Sequence, residues 1–230
     1  MAMIKDNVAR IRGQIASICQ RIGRNPDEIT LVAATKYADA AQIKEAIEAG
    51  ITDIGENKVQ EAQEKFSRLG EAGGRRHMIG HLQTNKVKLA LQLFDIIQSV
   101  DSLKLAQEID SQAAKLKAQV KIFIEVNTSG EEQKFGVEPK NTIALIKAIG
   151  ELSRIEVCGL MTMAPFVEDS QIIRRCFSTL RQMRDQVNEA FGSHPWVKMD
   201  FLSMGMSEDF EIAIEEGSNM VRIGRAIFVE

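Results

Sequence analysis

Apolar runs of strand length alternate with helix-period stripes along the whole sequence, and this alternation limits the possible folds more than any other feature. ITLVAATK (29–36), TDIGE (52–56), RRHMIGHL (75–82) and FDIIQSV (94–100) read as strands. VKIFIEVNT (120–128), IEVCGLMTM (155–163), KMDFLSMG (198–205) and MVRIGRAIF (220–228) complete a set of eight. Helical segments fill the intervals, and a stripe of Ile4, Val8, Ile11, Ile15, Ile18 and Ile22 places one more helix before the first strand. Several strands are almost continuously apolar, as parallel strands covered on both faces should be. Eight strand–helix alternations in 230 residues, with no Pro/Gly/Ser-rich linker, predict an α/β fold: a single (β/α)₈ TIM-barrel domain over residues 1–230. A doubly wound open sheet is the alternative. The chain starts with a helix and ends on a strand, so the first helix is expected to cover the place where an eighth crossover helix would pack.

Local signals set the helix boundaries. Asp39 with Gln42, and Asn57 with Gln60, have the spacing of capping boxes, and Gly50 and Gly70 are stops. Asp101 or Ser102 starts a helix to about Ala118, and Pro139 suits a first helical position. The helix over 169–190 carries a core stripe of Ile172, Cys176, Phe177, Leu180, Met183 and Val187.

Composition excludes several classes. A net charge of −3 gives no basic footprint for nucleic acid. No apolar run approaches the roughly 18 residues of a spanning helix, and the amphipathic start lacks the apolar region of a signal peptide. Cys19, Cys158 and Cys176 are few, scattered and odd in number, which suits a reducing cytosol and not a disulfide framework. His77, His81 and His194 form no zinc-spaced set with them, so no metal is expected.

In such a barrel the chemistry collects at the C-terminal ends of the strands. Those ends read Lys36; Glu56 and Asn57; His81; Ser99 and Asp101; Asn127 and Thr128; Met161 and Thr162; Ser203 to Ser207; and Arg222 to Arg225. Parity puts Val32, Ala34 and Lys36 on one face, so Lys36 points into the mouth and Tyr37, the only tyrosine, points away. On the last strand, Arg222 shares the inner face with Met220 and Gly224, and it needs either a carboxylate such as Glu125 or a ligand acceptor. SMGMS (203–207), with Ser207 as helix cap, and IGRA (223–226) are glycine turns in the two loops where barrels often hold phosphate. A lysine facing a phosphate cradle suggests pyridoxal phosphate held as a Schiff base. A Schiff-base aldolase acting on a sugar phosphate uses the same parts.

The stretches LVAATK (31–36), DIGENKVQEA (53–62), HMIGHLQTNK (77–86), SVDS (99–102), EVNTSGEEQKFG (125–136), GLMTMAP (159–165), LSMGMSEDFEIAIEEGSNMVRIG (202–224) and RAIF (225–228) carry a resemblance across essentially the whole chain. The sequence resembles the pyridoxal phosphate homeostasis proteins, whose barrel is of the alanine racemase N-terminal type. The resemblance implies pyridoxal 5′-phosphate held by Lys36. It implies a phosphate site at Ser203, Ser207, Gly224 and Arg225, with Arg222 facing the pyridine nitrogen and Asn57 and Met161 lining the cofactor. It further implies a cytoplasmic role in vitamin B6 and amino-acid balance without established turnover. Val229 departs from the family pattern, standing where a glycine is common.

Racemases of this fold take a second base, a tyrosine, from a separate β domain of the partner subunit, and 230 residues leave no room for one. His81 is the only substitute in view, and packing is its simpler role. A permanently charged Arg222 also opposes protonation of the ring, which weakens it as an electron sink. The expectation is therefore a monomeric binding protein that buffers the cofactor or delivers it to apo pyridoxal phosphate enzymes. A low-activity amino-acid racemase and a regulatory protein whose partner senses the cofactor are the other readings.

Overall fold

The computed structural model describes residues 2–70, 73–131 and 133–229. Eight parallel strands close a barrel in sequence order: β1 Thr30–Ala34, β2 Asp53–Glu56, β3 Arg75–Met78, β4 Ile96–Val100, β5 Val120–Glu125, β6 Ile155–Met161, β7 Val197–Ser203 and β8 Met220–Ile223. Val32 pairs with both Asp53 and Arg222, so β1 joins β2 on one side and β8 on the other, and the open sheet is excluded. The helices are α1 Ala2–Ile22, α2 Ala40–Glu48, α3 Val59–Leu69, α4 Val87–Leu93 and α5 Leu103–Leu116, then α6 Pro139–Gly150, α7 Ser170–Phe191, α8 Phe210–Glu215 and α9 Arg225–Phe228.

Alternation along the strands builds two cores. Leu31, Ala33, Ile54, Ile97, Ile122, Leu160, Leu202 and Val221 face outward and pack under the helices. Val32, Ile96, Phe123, Cys158, Met161 and Met220 fill the lumen as a smaller cluster. Each Val, Leu, Ile, Phe or Met among them stabilises by about 1.5–3 kcal/mol on burial. α1 lies against α2, α8 and α9, over the gap expected of it, and buries Ile4, Val8, Ile11, Ile15 and Ile18. Arg24 in the turn after it donates to the carbonyls of Ile214 and Ser218 at 2.9 Å.

The Asp39–Gln42 capping box forms, with Gln42 N–H donating to Asp39 Oδ1 at 2.8 Å and Asp39 N–H to Gln42 Oε1 at 2.9 Å. Ser102 caps α5, and Pro139 opens α6. The second capping box does not form. α3 starts at Val59, and its N-cap Lys58 makes no side-chain bond. Ser207 does not cap α8 either: that helix begins at Phe210, after a turn in which Asp209 Oδ1 accepts from the Met206 N–H at 2.5 Å. On α7 it is Ile173, not Ile172, that is buried with the rest of the stripe.

Strands end earlier than their apolar runs suggest. β3 stops at Met78 and β8 at Ile223, and RAIF (225–228) forms the single turn of α9 instead of continuing the strand. Ile227 and Phe228 are apolar because they pack with the outer core. Among the described residues no helix is long and apolar enough to cross a membrane, and no three His, Cys, Asp or Glu could hold a metal ion.

Candidate functional site

A cavity of about 350 Å³ opens at the C-terminal ends of the strands, within the usual range for small-molecule sites. Lys36, Asn57, Ser207, Arg222, Gly224 and Arg225 all line it.

Lys36 sits in a turn closed by the Ala38 N–H donating to the Thr35 carbonyl at 2.9 Å. It is solvent-exposed, and among the described residues no carboxylate pairs with it. Because β1 ends at Ala34, strand parity no longer governs the next residues. Tyr37 does not point away: it lines the same cavity, and its ring centroid lies 4.6 Å from Lys36 Nζ. The turn is braced from behind. Lys65 Nζ donates to the Thr35 carbonyl and to Glu56 Oε1, both at 2.7 Å, and the Thr35 hydroxyl donates to Glu56 Oε1 at 2.6 Å. Glu56 is therefore a buried clamp under α3 and not a group of the mouth.

Arg222 is 4% exposed. Its Nη1 donates to Ser203 Oγ at 2.6 Å and its Nη2 to the Thr162 carbonyl at 2.8 Å. Burial pushes its pKa down to about 10, against the pull of Asp209 and Glu125. Glu125 is 3% exposed, and its Oε2 has no hydrogen-bond partner. Burial and the nearby Asp101 push its carboxyl up to about 7, with Arg222 opposing.

The two glycine turns meet. The Ala226 N–H donates to Ser207 Oγ at 3.4 Å, and Arg225 Nη2 lies 3.2 Å from Glu208 Oε1. A Cβ at Gly224 would stand 2.9 Å from the Ala34 carbonyl oxygen, so only glycine lets β8 turn into α9 this close to β1. Gly205 has φ +100°, and a Cβ there would meet Ala213 Cβ at 2.6 Å.

Other rim positions serve the framework. Ser203 and Met161 are fully buried below the cavity, Ser203 on Arg222 and Met161 in the lumen cluster. Asn127 spends its amide on its own loop, donating to the carbonyls of Glu131 at 2.9 Å and Lys134 at 3.3 Å. His81 stacks on Phe135 with centroids 3.8 Å apart, and its Nδ1 lies 3.6 Å from Asp101 Oδ2. Sequence reading missed Ile79, Met163 and Phe166, which complete the cavity wall from the loops after β3 and β6. Loop side chains carry no periodic signal to find them by.

Three cations, a glycine turn, a hydroxyl and two carboxylates, Glu208 and Asp209, thus face one cavity, with Arg225 paired to Glu208. A small anion bearing a group that an amine can attack suits this set, at the strand ends where such barrels carry their sites. Residues 7–230 match the alanine racemase N-terminal domain family, and the chain belongs to that family.

Within it, the chain is similar to proteins named pyridoxal phosphate homeostasis protein. The one from Aquifex aeolicus (strain VF5) is 40% identical over 98% of this chain and 97% of its own. The one from Escherichia coli (strain K12) is 39% identical over 98% and 95%. Among solved structures, PipY of Synechococcus elongatus PCC7942 with pyridoxal phosphate bound superposes with a TM-score of 0.85 at 30% identity, covering 98% of this chain and 99% of that one. Alanine racemase of Clostridium difficile 630 shares the fold alone, with a TM-score of 0.76 at 15% identity over 99% of this chain and 55% of that one.

Proposed function

We propose that this protein binds pyridoxal 5′-phosphate and serves to buffer or deliver it, in the cytoplasm and as a monomer, without robust turnover. The observation that carries the reading is the convergence of the Lys36 amine, the Arg222 guanidinium and the Gly224–Arg225 turn on one cavity. The donor set fits the group. Ser207, Gly224 and Arg225 line the part of the wall that would hold the phosphate, and Arg222 offers N–H groups to a ring nitrogen that only accepts. Asn57 lines the wall, while Ser203 and Met161 act from beneath. The Lys36 amine would hold the cofactor through its aldehyde carbon, the chemistry the cofactor would supply there, with loss of water. The site's exposure supports exchange: Lys36 and Tyr37 are open to solvent, so free amines can reach the attachment point. Apo pyridoxal phosphate enzymes are the natural recipients.

One observation keeps the racemase reading alive. Tyr37 lies in the cavity beside Lys36. Two-base exchange needs an acid/base on each face of the bound plane, and neighbouring residues 4.6 Å apart do not supply opposite faces.

The test is a visible absorbance spectrum with added pyridoxal phosphate, followed by borohydride reduction and peptide mass analysis. The wild type should take on colour and carry the reduced adduct on Lys36. Lys36→Ala should do neither. A wild type that stays colourless refutes the cofactor. Rapid exchange of the Cα proton of added alanine in heavy water would replace the buffer with the enzyme.

A further inference from the structure

Beneath the cavity a chain of polar side chains crosses the barrel from wall to wall. Arg222 Nη1 donates to Ser203 Oγ at 2.6 Å, and Ser203 Oγ donates to Gln98 Oε1 at 2.6 Å. Gln98 Nε2 lies 2.8 Å from His77 Nδ1, and His77 Nε2 lies 2.8 Å from Asp53 Oδ1. Asp53 also accepts the Thr52 hydroxyl at 2.8 Å and pairs with Arg75 Nε at 2.9 Å. Arg222 is 4% exposed, and the other four links are fully buried.

The ends fix the direction of the chain. A guanidinium only donates and a carboxylate only accepts. Ser203 must accept from Arg222, and its proton then goes to the Gln98 oxygen. Gln98 Nε2–H is left for His77 Nδ1, and His77 Nε2–H for Asp53. Each link orients the next, in a low-dielectric interior where misorientation is costly. With Ser203 and the Thr162 carbonyl holding one N–H on each of two nitrogens, the guanidinium plane is set at the wall of the cavity that Arg222 lines.

We propose that Ser203, Gln98 and His77 are positioning residues of the ligand site, anchored on Asp53, that hold Arg222 toward the ring of the bound cofactor. None of the three lines the cavity. This role rests on the reading of the site as one for pyridoxal phosphate.

Gln98→Met keeps the side-chain length and removes both hydrogen-bonding ends; Ser203→Ala cuts the same chain beside Arg222 and replaces it should the first variant not fold. Pyridoxal phosphate is titrated into wild type, Gln98→Met, Arg222→Ala and the double variant. Gln98→Met should weaken binding by up to about 10-fold, the upper end of what one ordinary hydrogen bond is worth, and shift the absorption maximum of the bound cofactor. In the Arg222→Ala background the same replacement should change the dissociation constant less than about 2-fold, because the group it positions is gone. A purely structural role would give equal losses in both backgrounds, and that result, or no loss in either, overturns the proposal. Long-range ¹H–¹⁵N spectra of the ligand-free wild type should show the His77 proton on Nε2 and none on Nδ1; a proton on Nδ1 overturns the ordering of the chain. A wild type that binds no pyridoxal phosphate brings down the reading of the site and this role with it. The imidazole spectrum still reports separately whether the chain of hydrogen bonds exists.

Discussion

Asp53 and Glu125 are both buried carboxylates in a barrel strand, and their surroundings are opposite. Asp53 has a partner for each oxygen: His77 on Oδ1, Thr52 on Oδ2, and Arg75 on both. Burial raises its pKa, but those hydrogen bonds outweigh burial and leave the carboxyl below its ordinary value. Glu125 shares the strand face of Phe123, which packs in the lumen cluster, and it has an oxygen without a partner and a carboxyl pushed up to about 7. The middle of the barrel is saturated and holds itself in place. Toward the C-terminal strand ends the pairing is incomplete: Glu125 keeps an oxygen without a partner, although it does not itself line the cavity. Arg222 stands at the boundary: it donates to Ser203 and the Thr162 carbonyl, and it lines the cavity.

Cutting the saturated region should have the largest effect. Asp53→Ala strands the His77 N–H in a fully buried place and should destabilise the fold by about 3 kcal/mol or more, read as a lower urea midpoint with an unchanged slope. A loss under about 1 kcal/mol would mean the mid-barrel chain is slack.

At the mouth the sign reverses with pH. The folded protein holds the Glu125 proton up to about 7, whereas the unfolded chain releases it near 4.5. Stability from this group is therefore full below about 4.5 and is lost as pH rises toward 7, by about 3 kcal/mol above that window. Glu125→Gln should recover up to about that amount at pH 8 and almost nothing at pH 4. Equal gains at both pH values would remove Glu125 from the contrast.

Gly224→Ala is next. Its new Cβ meets the Ala34 carbonyl at 2.9 Å, and the overpacking should cost about 1–3 kcal/mol. Pyridoxal phosphate affinity should fall more than stability does, because the turn borders the cavity. The smallest effect is expected at Tyr37, whose ring is 63% exposed. An exposed cation–π contact is worth about 0.5–1 kcal/mol, so Tyr37→Leu should weaken cofactor binding less than about 5-fold. A much larger loss, or the disappearance of any Cα proton exchange in Tyr37→Phe, would make Tyr37 a working group.

The barrel was legible because eight alternations of period 2 and period 3.6 leave few ways to close a core; strand parity sets the faces except at register shifts, as in β6 and β7, where Cys158 and Met161 lie in the lumen and Leu160 and Met199 in the outer core. Arg222 was legible for the same reason: it lies inside β8 and shares a face with Met220, whose inward placement the pattern sets. Parity stops at Ala34, so it governs neither Lys36 nor Tyr37, and both line the cavity from the turn after β1. Tyr37 lies past the last ladder bond of β1, where nothing enforces alternation. Asn57 and Ser207 look like helix caps because caps and ligand loops use the same small polar residues, and only packing decides between the two uses. Glu56 falls at a strand end, like the site residues, but faces Lys65.

Sequence alone thus determined which residues alternate, and through them an eight-stranded α/β fold for which a barrel was the expectation; the pairing of β1 with β8 closed it. Only the tertiary structure decided which polar groups find one another. The Asp53, His77, Gln98, Ser203 and Arg222 side chains come from five strands, and the bond between Gln98 and Ser203 joins residues 105 positions apart. Such pairings depend on barrel closure and register to within an ångström, whereas local periodicity fixes only which face of a strand each side chain takes.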